Sequence, residues 1–181
     1  RAGLISESEF LSATARAIQA LQNTPGRLEQ TVEESSFDSW VKYYRQDENT
    51  VNSHISYYEK GALLGLLLDL EIRKRSSGAK SLVDVMRYLY AEYFKKNRNY
   101  GPVDFQKACE LMAGGSLEEF FNRYVRANEE LNYNAALEGA GLRLDTNAPG
   151  AAGRANDRIF FGADITQEGD RVTVDRVYAG S

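Results

Sequence analysis

The sequence is poor in the residues from which metal and redox sites are most often built. Its 181 residues hold one cysteine, Cys109, and one histidine, His54. A single cysteine excludes an intramolecular disulfide, and a single histidine excludes every paired-histidine metal motif. Long apolar stretches are also lacking. The longest, Gly61 to Leu68, ends at Asp69, well short of the ~18 residues of a membrane span. There is no excess of positive charge: 22 Lys and Arg stand against 26 Asp and Glu, a net charge of −4, and no window concentrates the basic residues. Nucleic-acid binding is therefore not expected. The opening Arg1-Ala2-Gly3-Leu4-Ile5-Ser6-Glu7 has neither a hydrophobic signal core nor a start methionine, as expected of a chain cut from something longer. A lone free cysteine fits cytoplasm or periplasm equally and leaves the compartment open.

What is present reads as globular protein. At 43% hydrophobic and 27% charged residues, the chain has enough apolar surface for a packed core. Its length corresponds to between one and one and a half domains of about 150 residues. Composition changes near Gly139: ten of the eleven tyrosines precede it, whereas seven of the fifteen glycines lie in the 43 residues from there to the end.

Before that point the periodicity is helical. Ser6 and Glu9 form a capping-box pair, followed by Phe10, Thr14, Ala17, Ile18 and Leu21 on one face, up to Pro25-Gly26. A helix over 32–44 is expected to pack its aromatic stripe of Phe37, Trp40, Val41 and Tyr44. Ser56 to Lys74 is apolar nearly all round, which predicts a central helix. Leu82, Val85, Met86, Leu89 and Tyr93 mark the next, opened by Ser81 and Asp84. Pro102 starts another that carries Phe105, Cys109 and Met112 and stops at Gly114-Gly115. On that apolar face Cys109 reads as core rather than as a nucleophile. Ser116 with Glu119 opens a helix bearing Leu117, Phe120, Phe121, Tyr124 and Val125, and a last one is expected over 129–138. After Gly139, three strands are expected at 142–144, 159–165 and 171–177, the last two joined by a turn at 167–170. The fold class is thus mainly α, with about six to seven helices and a short β-region.

One segment carries a chemical signal. Tyr57-Tyr58-Glu59-Lys60-Gly61-Ala62, at the start of the hydrophobic helix, resembles the catalytic tyrosine segment of gluzincin aminopeptidases. The stretch Glu34-Ser35-Ser36-Phe37-Asp38-Ser39-Trp40-Val41-Lys42-Tyr43-Tyr44-Arg45, then Asn49 and Asn52, is similar to the glycyl aminopeptidase family of zinc metallopeptidases that carry a PDZ domain. Phe120-Phe121-Asn122-Arg123-Tyr124-Val125 resembles a later helix of that family.

The resemblance implies that residues 1–141 are the helical, C-terminal part of a gluzincin catalytic region. Residues 142–181 would be a truncated β-region resembling half a PDZ domain. It implies zinc in the full-length enzyme, held by residues upstream of Arg1, with no metal ligand and no cofactor in this chain. It further implies release of N-terminal glycine from peptides in the complete enzyme, and no activity from this piece alone. Tyr58 is the implied catalytic residue, a phenol donating to the oxyanion of the tetrahedral intermediate. Tyr57 is its rival, because neighbours on a helix point about 100° apart and only one is expected to face the reacting centre. Asn49, Asn52 and Tyr44 are expected to line the same cleft. Glu59 and Lys60 are expected to be ion-paired or solvated, and His54 to serve packing. Phe161 and Gly162 would capture a peptide C-terminus, making peptides the expected partners. The alternative is a non-catalytic helical interaction module with a partial PDZ domain, in which the tyrosine pair is core.

Overall fold

A computed structural model describes residues 3–146, 162–169 and 171–179. Ser6 sets the start of α1 (Glu7–Gln22): its hydroxyl accepts from the Glu9 N–H at 3.2 Å while Glu9 accepts the Ser6 N–H at 2.7 Å. A tight turn over Pro25–Leu28 follows, and Thr31 with Glu34 repeats the same reciprocal cap at the start of α2 (Val32–Phe37). The first divergence from expectation comes here. The helix stops at Phe37 and residues 38–44 continue as hydrogen-bonded turns, with Val41 N–H donating to Asp38 C=O and Tyr44 N–H to Ser39 C=O. The aromatic stripe is not packed: Phe37 is 88% exposed, Trp40 78% and Tyr44 50%. Spacings of three and four place side chains on one face, but burial also requires another element covering that face.

A short α3 (Thr50–Ser53) leads into α4 (Tyr57–Arg75), the longest helix described. Its Leu63, Leu64, Leu67, Leu68 and Ile72 are buried, consistent with the central position its apolar surface predicts. Lys60, expected at the surface, is also buried, whereas Glu59 is exposed. After Arg75 come α5 (Leu82–Glu92), α6 (Pro102–Ala113), α7 (Glu118–Phe121) and α8 (Tyr133–Leu137). Gly114 closes α6 in the left-handed region at φ +74°, a conformation that disfavours side chains with a Cβ.

Two cap expectations change. Ser116 and Glu119 do not pair: Glu110, reaching from α6, accepts the Leu117 N–H at 3.0 Å, and Glu119 instead meets Arg123 at 3.2 Å. Beyond Phe121 the chain widens into a π turn over Asn122–Arg126, where Arg123 also grips Glu129. The last helix begins at Tyr133 rather than near 129, because the Asn132 side chain accepts from the Ala135 N–H and so fixes the N-terminus.

Backbone contacts divide the chain into two compact units, 1–63 with 144–181, and 64–143. The second has an apolar centre. Leu68 and Ile72 of α4 meet Val85 and Leu89 of α5, Ala108, Cys109 and Ala113 of α6, and Leu117 and Phe121. Each fully buried Leu, Ile, Val or Phe contributes about 1.5–3 kcal/mol relative to exposure. Asp69 ties two of these helices by accepting the Leu82 N–H at 2.7 Å and Arg73 Nε at 2.8 Å. Cys109 lies in this centre, and burial pushes its thiol up to about 12, in keeping with a core role.

The β-region holds one antiparallel pair, β1 (Ala163–Glu168) and β2 (Arg171–Val177). The strand expected at 142–144 does not form. An isolated run of apolar and polar alternation is not a strand without a partner to complete its ladder. The first part of the strand expected at 159–165 lies outside the described residues. Among the described residues, no helix is long and apolar enough to cross a membrane.

Candidate functional site

The start of α4 is held by an unusual number of side-chain bonds to backbone. Ile55, two residues before the helix, is 2% exposed, so its N–H and C=O must find partners inside the protein. Gln30 Oε1 accepts the Ile55 N–H at 3.0 Å, and Ser35 Oγ donates to the Ile55 C=O at 2.7 Å. Both side chains are buried. Gly26 lets the preceding residue approach closely: a Cβ there would stand 2.3 Å from the His54 carbonyl oxygen. His54 itself packs in this turn, with Nδ1 2.7 Å from Ser53 Oγ. Ser56 then caps α4, its C=O accepting from the Lys60 N–H and its hydroxyl from the Glu59 N–H.

On this support stands a cluster of phenols. The Tyr44 hydroxyl lies 3.4 Å from that of Tyr57 and 3.3 Å from that of Tyr58. These are long O–H···O contacts. The Tyr57 and Tyr58 rings tilt against each other with centroids 4.1 Å apart, and Tyr43 meets Tyr44 edge-on at 5.2 Å. The Tyr43 hydroxyl is directed at Ser56 Oγ, 3.4 Å away. Both Tyr57 and Tyr58 thus bring their hydroxyls to one partner, despite being helix neighbours. In the first turn the long, two-torsion side chains lean together, so backbone direction alone does not separate them.

Electrostatics does distinguish the two. Hydrogen bonds from Tyr44, and next from Tyr57, hold the Tyr58 phenol below the ordinary tyrosine value. Bonding to Tyr44, and next to Tyr58, raises that of Tyr57. Tyr58 is 59% exposed, whereas Tyr57 is half-buried. The exposed phenol is therefore the more acidic of the pair and the better hydrogen-bond donor to an incoming oxygen.

Asn49 and Asn52 occupy the loop that feeds this helix, but their contacts point elsewhere. Asn52 Nδ2 donates to Asn49 Oδ1 at 3.0 Å and to the Val177 C=O at 2.7 Å, while its Oδ1 accepts the Ala179 N–H at 2.7 Å. The amide thus mimics a strand, pairing with the end of β2. Glu48, Asn49, Asn52 and residues 174–179 line an open surface groove of about 380 Å³. Gly162 is buried at the head of β1, at φ +75°, with its C=O accepting from the Tyr178 N–H at 2.8 Å. Phe161 lies outside the described residues. Gln30 and Ser35 escaped sequence reasoning, since no local spacing links them to residue 55. Ser56 was legible, because Ser56-x-x-Glu59 has the form of a helix start.

The phenol cluster and its supports all fall within residues 1–64, the span matched by the model of the M61 glycyl aminopeptidases. Over that span the chain is similar to the glycyl aminopeptidase family. Its structure superposes with TM-score 0.82 on that of an aminopeptidase N family protein from Idiomarina loihiensis, at 30% identity. The match covers 98% of this chain and 32% of the other, so this chain spans about a third of that protein's length. No protein of curated function matches.

The residues described here do not fit a zinc site. Among them, no group of three or more His, Cys, Asp or Glu side chains is placed to hold a metal ion. The lone imidazole bonds Ser53, and the lone thiol is buried with its proton held to about pH 12.

Proposed function

We propose that this chain is the helical part of the catalytic region of an aminopeptidase that releases N-terminal residues, glycine foremost, from peptides. In this reading Tyr58 donates its phenolic O–H to the oxyanion that forms when the scissile carbonyl becomes tetrahedral. The carrying observation is Tyr58 itself, an exposed side chain on the first turn of α4 whose hydroxyl is bonded to another phenol and held below the ordinary tyrosine value. A donor of lowered pKa, fixed before the reaction, stabilises developing negative charge more than it stabilises the neutral carbonyl. Zinc belongs to the complete enzyme and is bound outside the described residues. Asn49 and Asn52 join the substrate cleft by shaping the loop that enters α4, and residues 142–181 are the start of a PDZ domain in which Phe161 and Gly162 meet a peptide carboxylate.

The test is Tyr58→Phe in the full-length enzyme, assayed on a glycyl chromogenic substrate. Removing one such donor is expected to lower kcat about 10²- to 10³-fold, with the melting temperature unchanged. An unchanged kcat would sink the assignment. The 181-residue chain alone is expected to bind no stoichiometric zinc by elemental analysis and to give no turnover. A fluorescent library of C-terminal peptides, offered to the completed PDZ domain, tests the role of Phe161 and Gly162.

A second reading, a non-catalytic interaction module, draws on the exposed Phe37 and Trp40. It requires the tyrosine pair to be core, which an exposed Tyr58 opposes.

A further inference from the structure

The Tyr44 oxygen lies in hydrogen-bonding reach of those of Tyr57 and Tyr58, giving a row through Tyr44, beside which Tyr57 and Tyr58 also interact directly with each other. A hydroxyl has one proton to give and two lone pairs to receive. The order of protons along the row decides whether Tyr58 has a proton left for anything else. If Tyr58 donates to Tyr44, its proton is consumed inside the protein. If Tyr44 donates to Tyr58, the Tyr58 proton is free to point outward.

We propose that Tyr44 is a positioning residue: the row runs from Tyr57 to Tyr44 to Tyr58, so that Tyr44 donates to the Tyr58 oxygen and leaves the Tyr58 proton for the substrate. This deepens the reading of Tyr58 as an oxyanion donor and rests on it for its catalytic meaning. Three observations favour this direction over its reverse. Tyr58 is the exposed end of the row and Tyr57 the half-buried end, so an outward donor has to be Tyr58. Tyr43, the nearest other phenol, is directed at Ser56 and does not compete for the Tyr44 proton. The acidities agree as well. The group that accepts along the row has its anion stabilised, and Tyr58 is lowered while Tyr57 is raised. Successive hydroxyls in a chain polarise one another, strengthening the terminal donor.

Tyr44 itself is held in place without the hydroxyl. Its ring meets Trp40 at 5.1 Å and Tyr43 at 5.2 Å between centroids, so Tyr44→Phe keeps the packing and removes only the bond. The titratable groups facing Tyr58 are Tyr43 and Tyr44 from the 38–44 turns and Tyr57 from its own helix.

The experiment is an NMR titration of the 181-residue chain labelled with 13C at tyrosine Cζ, in the unaltered form, in Tyr44→Phe and in Tyr57→Phe, with Tyr58→Phe to assign the resonance. In the unaltered chain Tyr58 is expected to titrate below the ordinary value of about 10. Tyr44→Phe is expected to return it towards that value, and Tyr57→Phe to shift it the same way by less. A Tyr58 that titrates at or above the ordinary value in the unaltered chain overturns the proposal without any variant. So does a Tyr58 unmoved by Tyr44→Phe. In the full-length enzyme Tyr44→Phe is expected to lower kcat with KM unchanged, by less than Tyr58→Phe. If Tyr58→Phe leaves kcat intact, the catalytic reading fails while the titration still decides the proton order. If Tyr58→Phe impairs kcat but Tyr44→Phe moves neither titration nor kcat, the positioning role alone fails.

Discussion

The two compact units both bury apolar side chains and differ in how much large apolar surface they leave exposed around the candidate site. Residues 64–143 gather nine buried side chains from α4, α5, α6 and the start of α7 into one apolar cluster. Residues 1–63 with the hairpin leave Phe37, Trp40, Val41 and Tyr58 largely exposed. They bury Ile18, Leu21, Val32, Ile55 and Leu63 and add single polar side chains aimed at backbone around the candidate site: Gln30 and Ser35 on Ile55, Asn52 on Val177 and Ala179. An apolar cluster gives stability without aiming any one group, because dispersion and burial are non-directional. A side-chain bond to a particular backbone atom contributes less but sets a position. The candidate chemistry lies beside bonds of this second kind, on segments that loops bring together.

That contrast can be broken from either side. Ile72→Ala, at a fully buried position in the apolar cluster, is expected to cost about 2–5 kcal/mol of stability in denaturant unfolding. The Tyr58 resonance should stay where it is below the transition. A variant that moved it would show that the two kinds of support are not independent. Gly26→Ala forces a Cβ against the backbone of His54, and relieving that clash is expected to cost about 1–3 kcal/mol. Because His54 leads directly to Ile55, Gly26→Ala should perturb the Tyr57 and Tyr58 resonances, which Ile72→Ala does not. Ser35→Ala strips the buried Ile55 C=O of its hydroxyl donor and is expected to cost about 1–3 kcal/mol. Faster hydrogen exchange at Lys60 and Glu59 would show the cap of α4 loosening.

A further effect is alkaline and comes from the centre of the 64–143 cluster. The folded Cys109 thiol titrates at about 12, whereas an unfolded cysteine titrates near ~8.5. The raised value means its contribution is complete below the unfolded value and is lost as pH rises from there towards the folded one. Stability to denaturant should therefore decline from about pH 8.5 upward, and Cys109→Ala should flatten that limb. Iodoacetamide should leave the native thiol unmodified at neutral pH, since only the thiolate reacts.

Much of this molecule was legible at short range. Ser6 with Glu9 and Pro102 with Gly114 mark helix ends because a cap satisfies backbone groups within four residues of itself. The apolar run 61–68 announced a buried helix, and Cys109 sat on an apolar face that proved to be core. Ser116 and Glu119 misled because this helix start is tied from another helix: Glu110, seven residues before Leu117, accepts the Leu117 N–H. The 38–44 stripe had helical spacing, but spacing says nothing about whether a second surface comes to cover it. In the candidate site, Tyr57 and Tyr58 stood out by resemblance. Gln30 and Ser35 carried no signal, being 25 and 20 residues from the residue they hold.

By itself, the sequence determined where most helices start and stop, which face of each long helix is apolar, and which pair of tyrosines opens α4. Those features depend on interactions between residues three or four apart, which every window of the chain contains. Tertiary structure alone decided that Phe37 and Trp40 face outward and that the Asn52 amide is spent on a strand 125 residues away. It alone brought Tyr44 to within hydrogen-bonding distance of both helix tyrosines. Each of these is a meeting of distant segments, and the free energy that selects it comes from surfaces and hydrogen-bonding groups that become neighbours only once the chain has folded.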